Sequence, residues 1–209
     1  FDWESVTTAW MVPLGLALLA AFAFVETKVV DPIVPMRLFR DRTTALAVFA
    51  SIMVGVALFG STVFLVQYFQ ISRGMTPTHA GLMTLCLVGG LLVSSITSGR
   101  LIASTGRWKR YLVAGATLMV VGISLLSTID PDISLVTVGA FMAVLGVGMG
   151  AVNQNLVLSV QNNAAQADIG AASSLVAFFR TMGGSIGVSA LGTALGHKVS
   201  SGIADGFTR

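Results

Sequence analysis

Residues 99–110 read GRLIASTGRWKR, a stretch between two apolar runs that holds four of the chain's twelve Lys and Arg residues. The surroundings make this concentration of charge unusual. Of the whole chain 55% is hydrophobic and only 10% charged, with a mean hydropathy of +0.87, whereas roughly a quarter of a soluble domain is charged. The solvent for most of this chain is therefore lipid, and its 209 residues are best counted in membrane spans of about 20 apolar residues joined by short loops.

Working outward from 99–110, the apolar runs are 9–25, 44–66, 79–98, 112–129, 133–152 with an extension to 160, and 169–195. Each is long enough to cross a bilayer as a helix, the form in which a single apolar run satisfies its own backbone. Transmembrane strands would alternate over about ten residues, and these runs do not. The connections are as short as QISRGMTPT at 70–78, DPD at 130–132 and QNNAAQAD at 161–168, so consecutive helices are expected to be antiparallel neighbours. The expectation is an all-α membrane protein of six transmembrane helices.

Lys and Arg near span ends mark the cytoplasmic face. Lys28, Arg37, Arg40, Arg42, Arg100, Arg107, Lys109 and Arg110 fall on one side of this layout, and Arg73, Lys198 and Arg209 on the other. Eight against three places residues 99–110 in the cytoplasm and both Phe1 and Arg209 outside. The chain opens FDWESVTTAW, without an initiator Met or a basic leader, and stops at GIADGFTR; it is expected to be a fragment.

Topology explains the sign of the charge in GRLIASTGRWKR but not its glycines. Gly99 lets a helix end lie close against a neighbour, Gly106 permits a tight reversal, and the cations can meet carboxylates or the negative ends of other helices. The pattern of Gly99, Leu101, Gly106, Arg107 and Arg110 resembles the G-x-L-x-x-x-x-G-R-x-x-R signature of the major facilitator superfamily, found between the second and third helices of each transporter half. Where that signature carries Asp, this chain has Ala103. DPIVPMRLFRDR (31–42), VQYFQISRGMTPTHAGL (66–82), GVGMGAVNQN (146–155) and FFRTMGGSIGVSALG (178–192) are similar to the second half of fourteen-helix drug:proton antiporters of the EmrB/QacA type.

The resemblance implies an incomplete C-terminal half of a major facilitator fold. Residues 1–42 would be an inserted transmembrane helix and a cytoplasmic loop, and 43–209 the C-terminal helix bundle lacking its last helix. It implies proton-coupled efflux of amphipathic compounds, cationic ones among them, by alternating access in the plasma membrane. The partners would be that substrate, protons, the bilayer and the missing N-terminal half of the same protein. Arg100, Arg107 and Arg110, with Gly99 and Gly106, would act as a cytoplasmic gate contact. Other readings left open are a small-metabolite symporter and a six-span assembly or sensor module.

Arg180 lies 11 residues into its run, roughly 16 Å deep at 1.5 Å per residue, where an Arg costs at least about 2.5 kcal/mol unless it faces protein or water. All nine Asp and Glu residues lie at or beyond span ends, so its partner is a carbonyl, a polar side chain or an acid elsewhere. It is the leading cavity candidate. Asn153 and Gln154 could offer amides to a substrate or sit at a helix end, and Gln67, Tyr68 and Gln70, at the far end of their run, could serve an outer gate or an aromatic belt. Gly146 with Gly150, and Gly183 with Gly187, each four apart, are expected at helix contacts, as are Gly192 and Gly196. Cys86, the single cysteine, is expected to be a small buried hydrophobe.

GGSIG at 183–187 matches G-x-S-x-G, but a nucleophile elbow needs a strand-to-helix turn, and Ser185 sits inside an apolar helical run. No catalytic residue is assigned. Paired metal ligands, a phosphate loop and a nucleic-acid module are absent from the sequence, so no metal, cofactor or nucleic acid is expected.

Overall fold

The computed structural model describes residues 6–26, 28, 41–130 and 133–207. The proposed inserted loop, with Arg37 and Arg40, the centre of the DPD turn, and both chain ends lie outside them. The described residues form helices and turns: α1 Val6–Glu26, α2 Arg42–Gln67 continuing as a π-helical turn Tyr68–Ser72, α3 Pro77–Thr105, α4 Trp108–Ser127, α5 Leu135–Asn163 and α6 Ile169–Phe207. Among the described residues, five helices are long and apolar enough to cross a membrane, from α2 with its π turn to α6. The first apolar run coincides with the 21-residue α1, whose Trp10, Leu14 and Phe24 are exposed.

Short polar signals set the helix ends. Asp41 caps α2, its carboxylate accepting from the backbone N–H (3.1 Å) and the hydroxyl (3.1 Å) of Thr44; the backbone hydrogen bond holds the carboxyl below its ordinary range. Thr76 caps α3 ahead of Pro77, and Ser134 caps α5. Gly106 adopts φ +65° and donates its N–H to Ile102 O at 2.8 Å. This left-handed residue ends α3 and lets α4 begin two residues later, the reversal that glycine allows cheaply.

Helix α5 is the hub. More than half of its apolar window is buried, 56% against 17% for α3 and α4, and it supplies the fully buried Val138, Met142, Leu145, Met149 and Val160. It packs against α3 on one side and α4 on another, while α2 pairs with α6. Lipid gives no hydrophobic drive for helices to associate, so close packing must hold them, and the crossings are built on glycine. A Cβ on Gly146 or Gly150 would run into the carbonyl oxygens of Leu87 or Leu91, and one on Gly148 would lie 2.5 Å from Met119 N. Gly183 and Gly187 face Ile52 and Val56 of α2 in the same manner. Among the described residues a Cβ on Gly192 or Gly196 meets nothing within 4 Å. Cys86 is half-buried, its Sγ 3.3 Å from where a Gly139 Cβ would stand.

The outer surface inverts that of a soluble protein. Leu46 is 69% exposed and Val136 83%, as expected of side chains that meet acyl chains. The chain is an integral, multi-pass membrane protein.

Candidate functional site

Consecutive antiparallel helices bring residues distant in sequence to one depth. We call the end carrying residues 99–110 the basic end. Helix α5 arrives there at Asn163 and α6 departs at Ile169. Asn153 lies ten residues before the end of α5 and Arg180 eleven after the start of α6, so both are about 15 Å from that end. They meet: Arg180 Nη1 donates to Asn153 Oδ1, and both side chains are half-buried. The partner of the mid-depth cation is thus a neutral amide oxygen.

The end-cap reading of Asn153 and Gln154 does not survive. Helix α5 runs to Asn163, beyond the apolar run that ended at Val160, and leaves both residues well inside the helix. Gln154 extends the Gly146 and Gly150 stripe, and its face of α5 meets a matching stripe on α3 of Leu87, Leu91, Ser95 and Gly99. Its Oε1 accepts from Ser95 Oγ at 3.2 Å, and its Cγ lies 3.6 Å from where a Gly99 Cβ would stand. Gly99 is therefore six residues inside α3 rather than at its end, and the glycine leaves room for the glutamine side chain. Two turns nearer the basic end than Gln154, Gln161 Nε2 donates to Ser173 Oγ of α6 at 2.9 Å. Asn155 is fully buried, its Nδ2 bonded to Ala151 O and its Oδ1 without a partner among the described residues.

Arg100, Arg107, Lys109 and Arg110 are exposed at the basic end, and none has an ion-pair partner among the described residues. Lys109 lies over the Trp108 ring, 5.6 Å from its centroid. At the same end Asn163 Nδ2 donates to Asp41 Oδ2 at 3.3 Å, linking the end of α5 to the cap of α2. Gln67 is exposed near the opposite end. There Tyr68, singled out in the sequence beside Gln67, is hydrogen-bonded to Arg73 and to the α4–α5 turn; the part of Arg73 and of that turn was not legible from the sequence.

The G-x-S-x-G match has no elbow geometry: Ser185 lies within α6. Ser185 is exposed and donates to Thr181 O of its own helix at 3.1 Å, while His79 Nδ1 pairs with Thr76 Oγ1 at the start of α3. Among the described residues no three His, Cys, Asp or Glu side chains group as metal ligands.

Residues 1–188 match the family model of the Major Facilitator Superfamily. The chain is 36% identical over 192 residues to an uncharacterized MFS-type transporter of Mycobacterium tuberculosis, covering 92% of this chain and 28% of that protein. It is 29% identical over 205 residues to the multidrug transporter protein MdtP of Bacillus subtilis, covering 98% and 38%. With a tetracycline resistance determinant of Streptomyces rimosus the identity is 32% over 192 residues, covering 91% and 55%. The chain thus spans between about a quarter and just over half of these relatives. A bundle of apolar helices with glycine-built crossings and a polar pair at mid-depth agrees with these matches, and the chain belongs to the major facilitator superfamily of membrane transporters.

Proposed function

We propose that this chain is most of the C-terminal half of a fourteen-helix drug:proton antiporter of the EmrB/QacA type, exporting amphipathic compounds in exchange for protons. The observation that carries the reading is the Arg180–Asn153 pair, because a mid-depth cation in an apolar bundle is costly unless it serves a pathway or a relay. The names of two relatives, a multidrug transporter and a tetracycline resistance determinant, support drugs as the substrate class. The carboxylates that would carry protons lie in the other half, since every acid of this chain is at or beyond a span end. Substrate would bind between the halves, and one half would rock against the other. The unpaired cations of residues 99–110 would then meet carboxylates or helix C-termini of the opposite half when the cytoplasmic side closes.

Export of a cationic fluorescent dye by the full-length protein tests this. Collapsing the proton gradient with a protonophore should slow export at least about tenfold, since exchange without that gradient has no other driving force in this scheme. Export that continues at its original rate removes proton coupling. A second reading, cotransport of an anionic metabolite, is favoured by the charge of Arg180 and by the lack of a mid-depth carboxylate. It predicts uptake of small carboxylates and no dye export.

Orientation has its own test. In the full-length protein with every native cysteine replaced, Cys86→Ala among them, Ser104→Cys should react with a membrane-impermeant maleimide only when the cytoplasmic face is presented. Ser104 is exposed next to Gly106, so labelling from the outer face of intact cells would reverse the assignment.

A further inference from the structure

We propose that Arg73 and Tyr68 form a reversible clasp at the outer end of the bundle, in which Arg73 is a positioning residue that holds the last turn of α2 closed and lets it go during transport. The proposal rests on the transporter reading above. Helix α2 does not finish as a regular helix. Its last turn, Tyr68–Ser72, is π-helical, a looser winding that occurs mostly as single turns at functional positions. Gly74 at φ +59° then reverses the chain, and Met75 N–H closes the end on Phe69 O at 3.0 Å. Phe69 is fully buried and anchors this turn, while its neighbour Tyr68 points its phenol toward another part of the fold.

The Tyr68 hydroxyl accepts from Arg73 Nε at 3.1 Å and donates to Asp130 O at 3.3 Å. Arg73 Nη2 donates to Ile133 O, and its guanidinium carbon lies 5.8 Å from the Tyr68 ring centroid. One arginine and one phenol thus bind two carbonyls of the α4–α5 turn, some sixty residues away in sequence. A lysine could not reproduce this, because it lacks the fixed fork that reaches two acceptors at once.

Beneath the clasp the two elements separate. An open groove of about 560 Å³, lined by Ser61, Phe64 and Tyr68 from α2, by Ile123 and Leu126 from α4 and by Leu191 from α6, lies between the helices. Among the described residues α2 and α4 share no packed interface. Phe69 holds the inner face of this turn in the core beside Val138 and Met142, while its outward face, Tyr68 and Arg73, is tied to the α4–α5 turn by polar contacts. At an aqueous end such contacts exchange with water at small net cost, whereas packed cores resist gradual deformation. A polar tie on a loosely wound turn is built to open.

The test uses the full-length protein with every native cysteine replaced, Cys86→Ala among them, and with Ser72→Cys and Ser134→Cys added. The new thiols flank the Arg73–Ile133 contact and leave the clasp residues in place. Bridging them with a short, cleavable bifunctional thiol reagent should cut dye export at least about tenfold by holding one state of the equilibrium, and cleavage should restore it. Adding Tyr68→Phe, which deletes both phenol bonds but keeps the ring, should slow cross-linking roughly three- to tenfold, as the two elements spend more time apart. Unchanged export after complete cross-linking overturns the clasp as a moving part. If the wild-type protein exports no dye, the transporter reading fails instead; the clasp then stands or falls on whether Tyr68→Phe slows cross-linking.

Discussion

Replacing Gly55 by alanine should lower the melting temperature of the detergent-solubilised protein by roughly 5–10 °C, the effect of about 2–3 kcal/mol of overpacking in a chain of this size. A Cβ at this position would enter the carbonyl oxygen of Arg180 and lie 3.0 Å from the backbone N of Gly184. Neither atom belongs to a side chain that could turn aside. The neighbouring positions are as tight, since a Cβ on Gly183 would lie 2.5 Å from Ile52 O and one on Gly187 2.8 Å from Val56 Cγ1. Helices α2 and α6 would have to move apart along their whole crossing.

Gly192→Ala in the same helix is the internal control. A Cβ there meets nothing within 4 Å, and alanine is the better helix former by about 1 kcal/mol, so that variant should match or slightly exceed the wild-type melting temperature. The contrast matters because the two glycines look alike in an apolar run. Equal melting temperatures for both variants would mean that α2 and α6 do not approach as closely as Gly55 and Arg180 do here.

The six apolar runs were legible because lipid leaves a single apolar segment only one way to satisfy its backbone. Their ends were less so. Hydropathy stops at Ser98, yet α3 continues to Thr105, since its last hydroxyls fold back onto their own helix: Ser104 Oγ and Thr105 Oγ1 both bond Leu101 O, at 3.0 and 2.5 Å. That shift moved Gly99 from a helix end into the contact with Gln154. The glycine spacing of four announced helix contacts at Gly146, Gly150, Gly183 and Gly187, but the same spacing at Gly192 and Gly196 carried none among the described residues. Spacing fixes which residues share a helical face, not what that face meets. For the same reason Arg180 could be placed at mid-depth while its partner could not be named, since pairing depends on how α5 and α6 are turned toward each other.

In the full-length protein, Arg180→Ala should abolish dye efflux, by at least about tenfold per inserted molecule, while the protein still reaches the membrane. Burial argues for a consequence this large: an Arg at this depth costs enough that a bundle with no use for it would do better without it. Its bond to the neutral Asn153 Oδ1 leaves its charge uncompensated by that partner, and a guanidinium has five N–H donors to offer. Insertion should survive, because the α2–α6 crossing beside it is held by backbone and glycine contacts, and an unpaired Asn153 oxygen costs only about 1–3 kcal/mol. The informative comparison is Arg180→Gln, whose amide can still donate toward Asn153 but carries no charge. If Arg180 merely ties α5 to α6, glutamine should restore much of the efflux, and Asn153→Ala should be as harmful as Arg180→Ala. If the charge serves the transport pathway, glutamine should be as inactive as alanine, while Asn153→Ala, which loosens the guanidinium but keeps it in the bundle, should retain more efflux than either. Wild-type efflux in Arg180→Ala would remove the residue from the mechanism and with it the main structural support for a transport pathway along this face of α6.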